Sequence, residues 1–218
     1  SYVLIGNVNT GKSTIFNRLC RKNIREGNYP RTTVSVSLGP ISGKDSNYFL
    51  IDTPGSNTIY AENEDELISK QIILDSAASN IIFVADAKTL KRSLALYLHY
   101  IEYGLPTVLD INMMDEALIR NIDIGVEKLS QLLDVDINTS VAIEGDGIST
   151  LKKKLDTPKR PKSPVRYPLF INNYLKLANR ILGNLPSSRG VLLSLLTDDK
   201  LSWDYLRKRC DPGTFSEI

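Results

Sequence analysis

The chain has 218 residues, with 27 basic against 25 acidic side chains, a balance that argues against a dedicated nucleic-acid binder. Hydrophobic residues at 42% and charged residues at 24% are ordinary globular composition, and the lone, distant Cys20 and Cys210 support neither a disulfide framework nor a zinc cluster. No apolar run approaches the roughly 18 residues of a membrane-spanning helix and no secretory leader opens the chain, so it reads as soluble in a reducing setting.

Strands are predicted at 2–5, 34–38, 48–51, 81–85 and 107–111, with a weaker one at 140–143. The run at 81–85 is apolar throughout, as expected of a strand covered on both faces. Between the strands lie helical patterns. One is expected over 12–21 and another after Asn63, which with Glu66 resembles a capping box. In a third, Leu94, Tyr97, Leu98 and Ile101 form one apolar stripe, closed by Gly104 and Pro106. This alternation predicts an α/β fold, a mostly parallel six-stranded sheet with helices on both faces. Residues 156–166 hold three prolines and four basic residues and read as a linker. Beyond it only helical patterning continues. The predicted division is 1–155, a linker at 156–166, and a small all-α domain at 167–218 that packs on the first domain or on a partner. The chain starts abruptly in its first strand and ends just past a turn, as a fragment would.

The motifs sit at strand ends. Gly6, Asn7, Val8, Asn9, Thr10, Gly11, Lys12 and Ser13 fit G-x-x-x-x-G-K-[ST] between a strand and a helix, with Thr14 next. Its backbone N–H groups would cradle phosphates, Lys12 would reach the β- and γ-phosphates, and the Ser13 hydroxyl would bind Mg²⁺. Asp52, Thr53, Pro54 and Gly55 close the strand at 48–51. There Asp52 would hold Mg²⁺ through water, while Gly55 offers an unobstructed N–H to a γ-phosphate. Asn112, Met113, Met114 and Asp115 close the strand at 107–111 in the N-x-x-D pattern of guanine-specific G proteins. Asp115 can accept from both guanine N1–H and N2–H₂, and Asn112 would tie this loop to the phosphate loop. The last base-contacting stretch, 140–143, aligns in two ways; anchoring on Gly145-Asp146-Gly147 brings the Ala142 and Ile143 N–H groups near guanine O6.

Together these motifs resemble the ferrous iron transport protein B (FeoB) family. Asn112-Met113-Met114-Asp115-Glu116-Ala117 has Met where most G proteins have Lys, Gly6-Asn7-Val8-Asn9 is similar to that family's GNPN, and 28–34 is similar to its switch-one NWPGVTV. Asp52-Thr53-Pro54-Gly55 followed by Glu64-Asp65-Glu66 resembles its DLPGxYSL…SEDE. The resemblance covers 1 to about 155 and implies a Ras-like P-loop GTPase domain, then a helical domain, then a membrane domain this chain lacks. It implies that GTP or GDP, Mg²⁺ and K⁺ are the cofactors, with Thr33 completing Mg²⁺ coordination in the GTP state and Asn9 helping to bind K⁺. The implied function is GTP hydrolysis regulating ferrous iron uptake at the cytoplasmic face of a bacterial inner membrane. Guanine nucleotide and the parent's transport domain are the implied partners, self-association is open, and no nucleic acid is expected. Val8 and Arg31 depart from the family's Pro and Gly. Ser56 stands where Ras-like enzymes have a water-positioning Gln, which predicts slow hydrolysis. Two other functions fit the motifs: a cation-dependent GTPase of tRNA modification or ribosome assembly, and a nucleotide-sensing module whose output is conformational. His99 and the basic run from Lys152 to Arg166 are expected to be structural or solvated.

Overall fold

The computed structural model describes residues 1–20, 23–30, 32–45, 48–56, 64–75, 77–182 and 188–216. One seven-stranded sheet organises it, from β1 (Tyr2–Gly6), β2 (Arg25–Asn28), β3 (Ser35–Pro40), β4 (Phe49–Asp52), β5 (Asn80–Asp86), β6 (Thr107–Asn112) and β7 (Asp136–Thr139). Their spatial order is β2-β3-β4-β1-β5-β6-β7. The four pairings from β4 to β7 are parallel; β2 with β3 and β3 with β4 are antiparallel.

The sheet therefore has one strand more than expected. β2 reads Arg-Glu-Gly-Asn and is exposed along its length, so no apolar alternation announces it; it is held by its backbone ladder to β3. The weak strand expected at 140–143 is also corrected. The seventh strand lies upstream, at Asp136–Thr139, and 140–143 is a turn closed by a Val141–Asp146 bridge.

Helices cover both faces. On one, α1 (Lys12–Leu19) and α6 (Ile148–Lys154) enclose Tyr2, Leu4, Ile82, Val84 and Val108. On the other, α2 (Glu64–Leu74), α3 (Leu90–Ile101), α4 (Met114–Ile119) and α5 (Val126–Leu133) cover Val3, Ile5, Phe83, Leu109 and Ile111. Successive strand residues point to opposite faces, so each central strand feeds both cores. Arg31 and the Asn63 cap lie outside the described residues.

The helical annex comprises α7 (Leu169–Leu182), α8 (Ser188–Leu195), α9 (Lys200–Arg209) and α10 (Pro212–Ser216). Its Leu175, Ala178, Val191, Leu192, Leu195 and Leu206 are continuous with the core beneath α2 and α3. Gly190 lies so near Tyr103 that a Cβ there would stand 2.7 Å from the ring, and the Tyr103 and Ser194 hydroxyls are 3.0 Å apart. The segment 156–166 is strapped to the first domain: Thr107 N–H donates to Lys159 O (2.7 Å) and Lys162 N–H to Leu133 O (3.1 Å). Its basic side chains, and those before it, act as staples. Lys154 donates to Ile137 O (2.8 Å), Lys159 pairs with Asp136 (2.9 Å), and Arg160 donates to Gly104 O (2.7 Å). His99 is structural, packed edge-on to Tyr100 and Tyr103, and burial pulls its pKa down to about 4.

Candidate functional site

The parallel strands deliver three loops to their C-terminal edge, where open α/β sheets bind ligands. The first joins β1 to α1. Asn9 and Gly11 adopt left-handed backbone (φ 64° and 90°), Thr10 Oγ1 donates to Asn7 O at 3.0 Å, and Val8 and Asn9 are exposed at the crest. The first turn of α1 carries no acid, so its free N–H groups and the helix dipole favour an anion. Lys12 is buried (6% exposed) and curls back, donating to Asn7 O at 2.8 Å and Gly6 O at 3.2 Å. Burial lowers its pKa to about 8, an effect that Asp52 partly opposes. Ser13 and Thr14 are exposed on the same turn.

The second loop leaves β4. Parallel pairing sets Asp52 beside Leu4 of β1. The Ser13 hydroxyl hydrogen-bonds Asp52, and burial raises the Asp52 pKa against that bond and against Lys12. Asp52 Oδ1 is buried with no partner among the described residues. Thr53 Oγ1 donates to Leu4 O at 2.6 Å and accepts from Ser69 of α2 at 2.9 Å. After Pro54, Gly55 presses on the phosphate loop: a Cβ there would stand 2.6 Å from Val8 Cα and 2.8 Å from Lys12 Nζ. Only glycine allows this approach. Ser56 is buried, its N–H donating to Gly6 O (3.1 Å) and its carbonyl accepting from Asn7 Nδ2 (3.1 Å).

An orphaned carboxylate oxygen beside a hydroxyl is an oxygen donor set that suits Mg²⁺. Ser13 and Asp52 line one polar cavity together with Phe16, Asn17, Ile24, Glu26 and Ser37. Thr33 is elsewhere. It is exposed at the tip of the β2–β3 hairpin, where Tyr29 N–H donates to Val34 O (2.9 Å) and the Tyr29 hydroxyl to Asp75 (3.2 Å). Among the predicted Mg²⁺ ligands, Ser13 and Asp52 thus share one cavity, while Thr33 sits on the hairpin and does not line it.

The third loop leaves β6. Asn112 is buried, and its Nδ2 donates to Thr10 O at 2.9 Å, the link expected between the two loops. The contact depends on Gly11, because a Cβ there would stand 2.2 Å from that nitrogen. Met113, with φ 64°, turns the chain into α4 and places Asp115, partly exposed, in the first helical turn. Ala142 N–H donates to Asn112 Oδ1 at 2.9 Å, so lending it to guanine O6 would require that bond to open or be shared; Ile143 is exposed beside it. Lys88 escapes sequence reading, since it lies in a short turn after β5 without a motif. It pairs with Asp86 (3.2 Å) and Glu116 (3.1 Å) and touches Met113 Sδ (2.9 Å), bracing the base loop from behind.

The family model for ferrous iron transport protein B matches residues 1–155. The Fe(2+) transporter FeoB of Escherichia coli K12 is 38% identical over 160 residues, which are 72% of this chain and 21% of that protein. The FeoB of Salmonella typhimurium LT2 is 37% identical over 157 residues, 70% of this chain and 20% of that protein. The chain thus spans about a fifth of the length of these relatives, since 21% and 20% of them are covered. Solved structures extend the likeness through the annex. An S. thermophilus NFeoB variant bound to GDP superposes with TM-score 0.84 at 28% identity, covering 100% of this chain and 86% of that one. The cytosolic domain of L. pneumophila FeoB gives TM-score 0.83 at 29% identity, covering 100% and 92%. The S. thermophilus NFeoB bound to GDP·AlF₄⁻ and K⁺ gives 0.81 at 28%, covering 100% and 86%. The chain belongs to the ferrous iron transport protein B family and carries its GTPase domain on a Ras-like P-loop fold.

Proposed function

We propose that residues 1–155 bind GTP and hydrolyse it slowly with K⁺ assistance, and that 167–218 relay the nucleotide state to a membrane domain that admits ferrous iron. In the parent protein this places the chain at the cytoplasmic face of the membrane. The observation that carries the reading is the Asn112–Thr10 hydrogen bond (2.9 Å), which fastens a guanine-type loop onto a phosphate loop.

In this reading Lys12 leaves its own loop carbonyls and turns to the β- and γ-phosphates, while Asp115 accepts from guanine N1–H and N2–H₂. Ser13 directly, and Asp52 through water, would hold Mg²⁺, which when bound neutralises phosphate charge. The exposed Asn9 amide would offer oxygen to K⁺. Water attacks the γ-phosphorus and the bond to the GDP oxygen breaks; Gly55 N–H holds the γ-phosphate. Thr33 must leave its hairpin to join Ser13 and Asp52, so the state of the β2–β3 hairpin reports which nucleotide is bound. Turnover is slow because Ser56 is buried and tied to the phosphate loop, in no position to orient water.

GTP and ATP affinity and turnover, measured in K⁺ and again in Na⁺, test this. GTP should bind at least about a hundredfold tighter than ATP, because adenine leaves the Asp115 carboxylate unpaired. Na⁺ should slow hydrolysis without changing GDP affinity. Equal ATP binding overturns the role of Asp115, and indifference to K⁺ overturns that of Asn9.

Lys12 adds a pH dependence. Its pKa in the free protein is lowered to about 8, so the phosphate-binding charged form is complete below that value and lost above it. GDP affinity is expected to fall as pH rises through about 8, with a proton taken up on binding there. Calorimetry in two buffers of different ionisation enthalpy reads the proton; no uptake at that pH would exclude a depressed Lys12.

A further inference from the structure

Asp110 stands in the middle of β6, in an otherwise apolar run, and is fully buried at 0% exposure. Nothing in the chemistry above uses it. A carboxylate withdrawn from water is strongly unfavourable unless paired or hydrogen-bonded. Here the partners are neutral. Asn138 Nδ2, directly opposite on β7, donates to Oδ1 at 2.6 Å, and the Ser140 hydroxyl donates to Oδ2 at 2.7 Å. From β5 it faces Val84, and α6 contributes Ile148 and Leu151 to the same layer. Among the described residues no charged group bonds to it, and burial, against its two hydrogen bonds, pushes its pKa to about 6.

The Ser140 hydroxyl has one proton and two acceptors in reach: Asp110 Oδ2 at 2.7 Å and Asn112 Oδ1 at 3.1 Å. The carboxylate is closer, and the charge favours it. Asn112 Oδ1 is then held by Ala142 N–H (2.9 Å), while Asn112 Nδ2 holds Thr10 O (2.9 Å). Asp110 therefore stands at the foot of a chain of hydrogen bonds that joins the base loop, the 140–142 turn and the phosphate loop. We propose that Asp110 is a positioning residue for base recognition: by taking the Ser140 proton it leaves Asn112 to Ala142 and Thr10, which sets the spacing of the two ligand loops. This rests on the nucleotide reading above. In the neutral form the proton order reverses. Asp110 donates to Ser140, Ser140 donates to Asn112 Oδ1, and the Ala142 N–H must share that oxygen.

Asp110→Asn fixes the reversed order, since its amide accepts from Asn138 and donates to Ser140. Binding of a fluorescent GDP analogue is measured for both proteins from pH 5 to 8, so that titration of the nucleotide phosphate cancels in their ratio. Above pH 7 the variant should bind about tenfold more weakly, the worth of one redirected hydrogen bond, and release faster. Towards pH 5, where wild-type Asp110 is itself neutral, the two should converge. Melting should move the other way. Because the folded pKa is raised from 3.8 to about 6, the ionised carboxylate costs stability above about 6 and not below the unfolded value. The variant should therefore melt higher than wild type at pH 8 and equally near pH 4. A pH-independent ratio, or a variant that loses melting temperature and affinity together at every pH, overturns the proposal. Should Asp110→Asn not fold, Ser140→Ala cuts the same link, and GDP affinity equal to wild type in it is equally fatal. Wild-type discrimination of GDP from ADP is measured alongside; its absence would sink the nucleotide reading itself rather than the role of Asp110.

Discussion

Asp115→Ala is expected to weaken GDP binding about a thousandfold, because two charge-assisted hydrogen bonds to guanine, each worth about 1.5–3 kcal/mol, are lost together. Binding of inorganic triphosphate, which meets only the phosphate loop, should not change. The fold should scarcely register the substitution. Asp115 is partly exposed in the first turn of α4, where its carboxylate favours the helix N-terminus by about 0.5 kcal/mol. Affinity and stability are thus predicted to part company. Asp115→Asn sharpens the test, because its amide can place a donor against guanine N2–H₂, a donor meeting a donor. Xanthine presents a carbonyl oxygen at that position, so the variant should prefer xanthine to guanine nucleotide. Competition binding of GDP, xanthosine diphosphate and triphosphate reads all three outcomes. GDP affinity within threefold of wild type in Asp115→Ala would move base recognition elsewhere.

The three site loops were legible because each is short and local. The phosphate loop needs its glycines, as the 2.2 Å approach of Asn112 to a Cβ at Gly11 shows, and DTPG needs Gly55 against Val8. Such requirements leave fixed letters at fixed spacings. The central strands were legible from apolar runs such as Ile81–Ala85, buried on both faces. What was illegible depends on distant partners. β2 exists because β3 offers it a backbone ladder, and its own Arg-Glu-Gly-Asn carries no trace of that. β7 was misplaced because Asn138, a buried polar residue on its inner face, is satisfied by Asp110, 28 residues earlier in the chain. The isolated Asp in Val108-Leu109-Asp110-Ile111 was the available signal, a charge in an apolar strand that demanded an explanation. Thr33 is the remaining case: the Mg²⁺ role proposed for it depends on the nucleotide state, which sequence does not encode, and here it sits exposed at a hairpin tip.

Asp199→Ala should be strongly destabilising, and the reason bears on the relay proposed between the switch and the annex. Lys70 lies on α2, the helix that follows the DTPG loop, and its Nζ is 2.7 Å from Asp199 of the annex, with side chains only 8% and 17% exposed. Asp199 also caps α9, accepting from Ser202 N–H at 2.6 Å. The two ends are unequal. Burial holds Lys70 below its ordinary pKa despite the pairing. At Asp199, burial is outweighed by the bonds from Lys70 and Ser202, and its pKa is held low. The lysine therefore carries the desolvation penalty and depends on the partnership more. Removing Asp199 strands a buried ammonium at a cost of about 3–5 kcal/mol and strips the cap for about 1 kcal/mol more. At roughly 2–4 °C per kcal/mol for a chain of this size, melting should fall by about 10 °C or more. Lys70→Met should cost less, because its methylenes are replaced and Asp199 keeps Ser202. The double variant should melt above Asp199→Ala, since the stranded charge is gone. His99, held neutral by burial down to about pH 4, leaves this pattern unchanged between pH 6 and 8. Nucleotide release supplies the functional half. Neither residue lines the phosphate or base loops, so faster GDP release from Lys70→Met would be an effect at a distance, and α2, which carries Lys70 and follows the DTPG loop, is the direct route. Melting of Asp199→Ala within 2 °C of wild type would contradict the buried pair. Unchanged GDP release from Lys70→Met, with melting lowered as expected, would leave the pair a structural rivet and force the relay to run through another contact, with the Tyr103–Ser194 hydroxyl pair beneath α8 the next to cut.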